Sequence, residues 1–254
     1  MAKLTVADLQ QMKRDGKKIA AAVAHDFQMA KLCEMAGADL LSVGDSVGNR
    51  FLAFTKSEEF TIADMIPFAR AVVRAAERAV VSVDMPPATS KGGPTEIAKA
   101  ARRIKDETGA VMTKMDTRGR EDSAFEDVRA VVETGLAAFP HLGFPGGAGS
   151  TGLHGSPEEH ERMMKLAHTV YEAGASLIDL ASVTTEVYTD VCGSLPIPVI
   201  GGHTGPEADG HIHVSYGLVG YGAATMDRTD RPGVARTMHD ILKKAFDDIH
   251  AGKW

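Results

Sequence analysis

The chain has 254 residues, 44% of them hydrophobic and 24% charged, with 28 Lys and Arg against 34 Asp and Glu for a net charge of −6. That length suits one large α/β barrel, and the mild acidity removes any general attraction to nucleic acid or an anionic membrane. Cys33 and Cys192 are far apart and in no metal-type spacing, which argues against a disulfide framework and for reduced thiols in a cytoplasmic protein.

The opening residues lack the charged-then-apolar pattern of a signal peptide, and no apolar run approaches the ~20 residues that cross a bilayer. From there, strand-like and helix-like runs alternate to the end of the chain. Ile19–His25 reads as a strand and Asp26–Ala36 as a helix. Asp39–Asp45 (DLLSVGD) is the second strand, and Ile62–Ala76 carries apolar residues at helical spacing. Ala79–Met85 (AVVSVDM) is the third strand, followed by a helix over Pro94–Thr108. Ala110–Asp116 (AVMTKMD) is the fourth, followed by a helix over Phe125–Thr134. Leu136–Gly143 is the fifth strand. The glycine-rich Gly143–Gly155 after it lacks a Gly-Lys-Ser/Thr ending, so it reads as a mobile loop and not a phosphate cradle. Pro157–Ala173 is a strong helix, with Ser156 as N-cap and Glu159 three residues on. Ser176–Ser182 is the sixth strand, Pro198–Thr204 the seventh, His211–Gly217 the eighth, and Val234–His250 the closing helix. Nearly continuous apolar strands separated by helices mean a parallel sheet covered on its outer face. Eight units without a linker predict a closed (β/α)8 barrel, residues 1–254 forming one domain.

Barrel enzymes place their reactive groups at the C-terminal ends of strands. That rule selects Asp45-Ser46, Asp84, Lys114 with Asp116, His141, and His203-Thr204. Asp45, Asp84 and Asp116 would then converge from adjacent strands and repel one another unless a cation lay between them. A hard divalent ion such as Mg²⁺ is suited to that role, and it would polarise the carbonyl of a bound 2-oxo acid. The alternative is that these aspartates cap the following helices. His211 and His213 share one strand face, a spacing that zinc sites use, but no Cys or further His lies near them in sequence. They read more simply as a barrel rim. Met112, Met115, Met163 and Met164 read as packing residues.

VGDSVG at 43–48, Asp84 in VDMPP, Lys114 in TKMD, HLG at 141–143 and PIPVIG at 196–201 resemble the ketopantoate hydroxymethyltransferase family, in the phosphoenolpyruvate mutase/isocitrate lyase superfamily of barrels. The opening TVADLQQMKRDGKKIA is similar to that family's N-terminal helix. The resemblance runs from about Thr5 to Val214. It implies Mg²⁺-dependent transfer of a hydroxymethyl group from methylenetetrahydrofolate to the 3-carbon of 3-methyl-2-oxobutanoate. Residue by residue, it makes Asp45 and Asp84 metal ligands, with Asp116 standing where the family has Glu. Ser46 and Asp84 match substrate contacts, Lys114 the lysine on the substrate's carboxylate or oxo group, and His141 the active-site histidine. A homo-oligomer is implied as well.

The departures carry as much information. Ungapped alignment puts Ala181 where the family has its general base, a Glu. His203 stands in place of a small residue, His25 in place of a Tyr, and Thr117-Arg118 in place of glycines. His203 and Asp179 are the candidate replacement bases, because an imidazole titrates near neutrality and Asp179 shares a strand face with Ala181. Three functions follow: hydroxymethyl transfer through a metal-bound enolate, carbon–carbon cleavage by retro-aldol release of formaldehyde or by decarboxylation, and a non-catalytic barrel that binds a small acid. Decarboxylation leaves no proton to abstract, so it tolerates Ala181 best.

Overall fold

A computed structural model describes residues 2–144, 153–202, 207–227, 229–230 and 233–250. The first elements are α1 (Val6–Arg14), β1 (Ile19–Val23), α2 (Phe27–Met35), β2 (Leu40–Val43), α3 (Val47–Arg50) and α4 (Ile62–Ala75). Then come β3 (Val80–Asp84), α5 (Pro87–Ser90), α6 (Pro94–Thr108), β4 (Met112–Asp116), α7 (Ala124–Val132) and β5 (Ala137–Gly143). The last are α8 (Pro157–Glu172), β6 (Ile178–Ala181), α9 (Thr185–Ser194), β7 (Val199–Gly201), β8 (Gly210–Val214), α10 (Ser215–Leu218) and α11 (Val234–His250).

Local chemistry sets the helix ends. Thr5 with Asp8, Thr61 with Asp64 and Ser156 with Glu159 form capping boxes that start α1, α4 and α8. Pro94 opens α6, and Gly109 closes it in the left-handed region at φ 78°.

The strands pair in sequence order, β1 to β8, as a closed barrel. The described pairs are parallel, with Asp84 beside Lys114, Asp116 beside His141, and His141 beside Asp179. Two glycines sit where backbones crowd. A Cβ at Gly210 would lie 2.3 Å from the Ile19 carbonyl oxygen, at the seam between the last and first strands. A Cβ at Gly143 would lie 2.2 Å from the Ala181 carbonyl oxygen, and its φ of 137° favours glycine as well.

The expected eighth strand, His211–Gly217, is replaced after Val214 by the short helix α10. The short helices α3, α5 and α9 give little sequence signal, α3 and α5 because a single turn carries no period.

The chain divides into two compact units, Met1–Ile212 and His213–Trp254. The first holds β1 to β7 and the start of β8. Within the second, Val234 and Ala235 donate backbone hydrogen bonds to Val219 and Gly220, at 2.9 Å each. Its helix α11 carries exposed Met238, Ile241, Leu242, Phe246 and Ile249 at helical spacing.

The barrel interior is filled at its N-terminal end. Leu9 of α1 packs with Ile19, Leu40, Val80, Met112 and Phe139, all buried. Substrate access is therefore left to the opposite end, where the strands terminate.

Candidate active site

Strand periodicity decides which side chains line that open end. Residues two apart on a strand share a face. Above the plug formed by Leu40, Val80, Met112, Phe139 and Leu177 therefore come Ser42, Ser82, Lys114, His141 and Asp179. Asp84, Asp116 and Ala181 follow one layer higher.

Lys114 organises this layer. Its Nζ lies 2.9 Å from Asp84 and 3.2 Å from Asp179. Burial disfavours its charge, but the Asp84, Asp179 and Asp45 carboxylates more than compensate and hold its pKa above the ordinary lysine value. Ser42 donates a 2.7 Å hydrogen bond to the other oxygen of Asp84, so both oxygens of that carboxylate are engaged. Burial works against the charge of Asp179 too, yet His141 and Lys114 keep its pKa below the usual carboxylate value.

His141 Nε2 is buried, 4.0 Å from Asp179, with no hydrogen-bond partner among the described residues. Burial lowers its pKa against the pull of Asp179, and Lys114 and Arg118 push the same way as burial. The imidazole is neutral near pH 7.

Asp116 is held differently. Arg118 Nε and Nη2 donate to its two oxygens at 2.8 Å each, and the Arg118 backbone N–H adds a 3.1 Å bond. These bonds outweigh burial and lower the carboxyl pKa. Asp45 has the reverse environment. The residue borders the cleft at the mouth and is exposed in part, and its carboxyl is desolvated by the surrounding protein. That desolvation, and then the charge of Asp84, push it up to about 6. Ser46 lies 3.0 Å from His25 Nε2. Beside Asp45 and Ser46 a cleft of about 320 Å³ opens, walled by Asn49, Phe54, Phe60 and Pro87.

The residues expected at the mouth, Asp45, Ser46, Asp84, Lys114, Asp116 and His141, thus line one end of the barrel together with Asp179. Among the described residues no three His, Cys, Asp or Glu side chains are arranged to hold a metal ion. The charge balance nevertheless favours a cation. Among the described residues, Asp45, Asp84, Asp116 and Asp179 are set against two cations, Lys114 and Arg118, which leaves two negative charges unmatched. Asp45 and Asp84 suit a hard divalent ion by charge and oxygen chemistry, while Asp116 is occupied by Arg118.

His203 lies outside the described residues, as do 145–152 of the glycine-rich segment after β5. His211 and His213 belong to no three-residue metal cluster among the described residues. Cys33 and Cys192 are not joined in a disulfide. Burial and then Asp209 push the Cys192 thiol up to about 12, so it is a packing residue and not a nucleophile.

Two participants were not selected from the sequence. Ser42, the partner of Asp84, is two residues past Leu40 and could have been found from strand period. Arg118 stood out only as a departure from glycine, and spacing gave no sign that it would turn back onto Asp116.

Comparison with known proteins adds identity to this geometry. The sequence profile of the family described as "Ketopantoate hydroxymethyltransferase" matches residues 3–248. The 3-methyl-2-oxobutanoate hydroxymethyltransferase of Leifsonia xyli subsp. xyli (strain CTCB07) is 34% identical, covering 86% of this chain and 79% of that protein. The enzyme of the same name from Listeria monocytogenes serovar 1/2a is 32% identical, covering 95% and 92%. Among solved structures, a putative phosphonomutase from Burkholderia cenocepacia J2315 aligns at TM-score 0.71 and 15% identity, covering 95% of this chain and 100% of that one. A 2,3-dimethylmalate lyase, described as a PEP mutase/isocitrate lyase superfamily member, aligns at TM-score 0.65 and 15% identity over 97% and 99%. Similarity at that level of identity establishes the barrel fold.

Proposed function

The chain belongs to the ketopantoate hydroxymethyltransferase family and is an enzyme of the transferase or lyase type, and from that premise we propose that it cleaves a carbon–carbon bond next to the oxo group of a 2-oxo acid. One observation carries this reading. The Lys114 ammonium is fixed between Asp84 and Asp179 at the barrel mouth, and the strand-six end beside it is Ala181, a side chain with no proton-accepting atom. A cation at the oxo oxygen stabilises an enolate however that enolate forms. Cleavage forms it from the breaking bond, so no base is needed at the 3-carbon.

In decarboxylation the electron pair of the broken bond becomes the enolate, carbon dioxide departs, and water returns a proton to the 3-carbon. In retro-aldol cleavage the hydroxyl proton must also be accepted, and His141, with its pKa lowered by burial and Nε2 buried without a hydrogen-bond partner among the described residues, would take it. Lys114 donates to the oxo oxygen in both cases. Asp84 and Asp179 keep it charged and aimed, and Ser46 contacts the substrate. A divalent metal, with Mg²⁺ the natural choice, would be held by Asp45 and Asp84, Asp116 being taken up by Arg118, and when bound it would polarise the same oxo group.

Hydroxymethyl transfer, with methylenetetrahydrofolate as the one-carbon donor, is the second reading. The names of the relatives at 34% and 32% identity favour it. It requires a base at the 3-carbon in place of the Glu for which Ala181 stands. Asp179 is poorly suited because Lys114 already occupies it, and His203 is the other candidate. A non-catalytic barrel is set aside by the family assignment. The enzyme is read as a cytoplasmic homo-oligomer.

The test is a panel of 2-oxo acids, with and without a 3-hydroxymethyl or 3-carboxyl substituent, assayed with Mg²⁺ for formaldehyde and carbon dioxide. Release without tetrahydrofolate supports cleavage. A hydroxymethylated product formed only with the folate donor moves the assignment to transfer.

A further inference from the structure

Arg118 is more than a surface charge paired with its neighbour. Its guanidinium faces Asp116 side-on, two nitrogens on two oxygens at 2.8 Å each. Both side chains remain partly open to the mouth, at 24% and 34% exposure. The turn that carries it is pinned on both sides. Thr117 Oγ1 and its backbone N–H both donate to the His141 carbonyl, at 2.8 and 3.1 Å. The Arg120 backbone N–H donates to the Thr117 carbonyl at 3.0 Å, and Arg120 Nη2 pairs with buried Asp127 at 2.8 Å. Ser123 Oγ adds a second bond to Asp127 at 2.8 Å. The guanidinium is thus presented at the strand-four end by an anchored turn.

An acid entering this mouth meets excess negative charge. Of the two cations described there, Lys114 is deep and already shared by two carboxylates. Arg118 holds a single, half-open carboxylate in a bidentate geometry that another carboxylate can adopt unchanged. Taking the 2-oxo-acid reading above as given, we propose that Arg118 is a substrate-binding residue that passes its fork from Asp116 to the C1 carboxylate of the acid, leaving Lys114 for the oxo oxygen. The exchange swaps one bidentate pair for another, so the guanidinium keeps two hydrogen bonds while the half-open Asp116 carboxylate gives up its side-chain donors to solvent. It releases Asp116 only when substrate is present.

The test is calorimetric titration of the full chain, with Mg²⁺ present, using 3-methyl-2-oxobutanoate and its primary amide, which keeps the oxo group and removes the carboxylate. Wild type binds the acid more tightly than the amide. In R118G that preference falls by about ten-fold or more, with R118K intermediate because an ammonium cannot reproduce the fork. D116N, which removes the competing carboxylate, keeps the preference and binds the acid at least as tightly as wild type. The proposal is overturned if R118G retains the wild-type preference, or if D116N loses acid binding as R118G does, since the ion pair is then a structural unit. If wild type prefers neither compound but binds both, Arg118 is not the carboxylate site and the 2-oxo-acid reading stands. If wild type binds neither, that reading fails and the inference with it. Thermal melts of each variant separate loss of binding from loss of folding.

Discussion

Lys114 and its two carboxylates form a unit in which each member is costly alone. A buried ammonium without partners loses its charge, and buried carboxylates without it repel each other and the substrate. K114M is therefore expected to lower kcat/KM by about 100-fold or more, the scale for losing an oxyanion-stabilising donor, measured by steady-state product release on whichever acid the panel identifies. Activity within three-fold of wild type would remove Lys114 from the chemistry. His25 supplies a stability prediction. Burial depresses its pKa to about 4 against the raising influence of Asp84, while the unfolded chain titrates near the ordinary histidine value of about 6.5. Between those values the unfolded state takes up a proton that the folded state refuses. Stability is therefore fully present above pH 6.5, is lost as pH falls toward 4, and changes by up to about 3 kcal/mol. H25Y, which removes the titrating imidazole, is expected to flatten that part of the pH–Tm profile.

Legibility at this scale followed a simple physical line. Asp45, Asp84, Lys114, Asp116 and His141 were identifiable because a strand end and a two-residue period fix where a side chain lies. The partners each would choose were not. Asp179 was expected one layer deeper as a spare base, and it pairs with Lys114. Asp116 was expected to face a metal, and both its oxygens carry hydrogen bonds from Arg118. Pairing depends on side-chain reach across strands and loops, which spacing along one strand does not encode.

At the scale of elements, the start of α8 was readable to the residue because a capping box marked it, while the boxes at Thr5 and Thr61 emerged only from the structure. Ser156 and Glu159 define the start of α8, and S156A is expected to cost about 1 kcal/mol in denaturant-measured stability with activity retained. The seam is more demanding. G210A places a methyl group 2.3 Å from the Ile19 carbonyl oxygen, so the last and first strands must part. A loss of about 3 kcal/mol or more, read by chemical denaturation, is expected, and a wild-type midpoint would contradict the closeness of these backbones. The eighth strand was the weakest reading because His211–Gly217 mixes alternation with a helical turn. The backbone takes both, β8 through Val214 and then α10.

For the molecule as a whole, the alternation of apolar runs and helical segments was sufficient to give a closed parallel barrel, because eight such units in 254 residues leave few other ways to cover both faces. What the barrel does depends on the charge at its mouth. Two unmatched negative charges predict that Mg²⁺ raises Tm in wild type, with the rise largely lost in D45N. An equal shift in both would place the ion elsewhere. The exposed apolar stripe of α11 accords with a homo-oligomer, which light scattering would test. The central claim is that this site makes its enolate by breaking a carbon–carbon bond and not by removing a proton from the 3-carbon. It is tested most directly by NMR in D₂O with 3-methyl-2-oxobutanoate, Mg²⁺ and no folate. Hydrogen–deuterium exchange at the 3-carbon is expected to be far slower than turnover of a 3-carboxyl or 3-hydroxymethyl 2-oxo acid, which loses its substituent and gains one deuterium there. Rapid enzyme-dependent exchange at the 3-carbon, with no cleavage of the substituted acids, would contradict it.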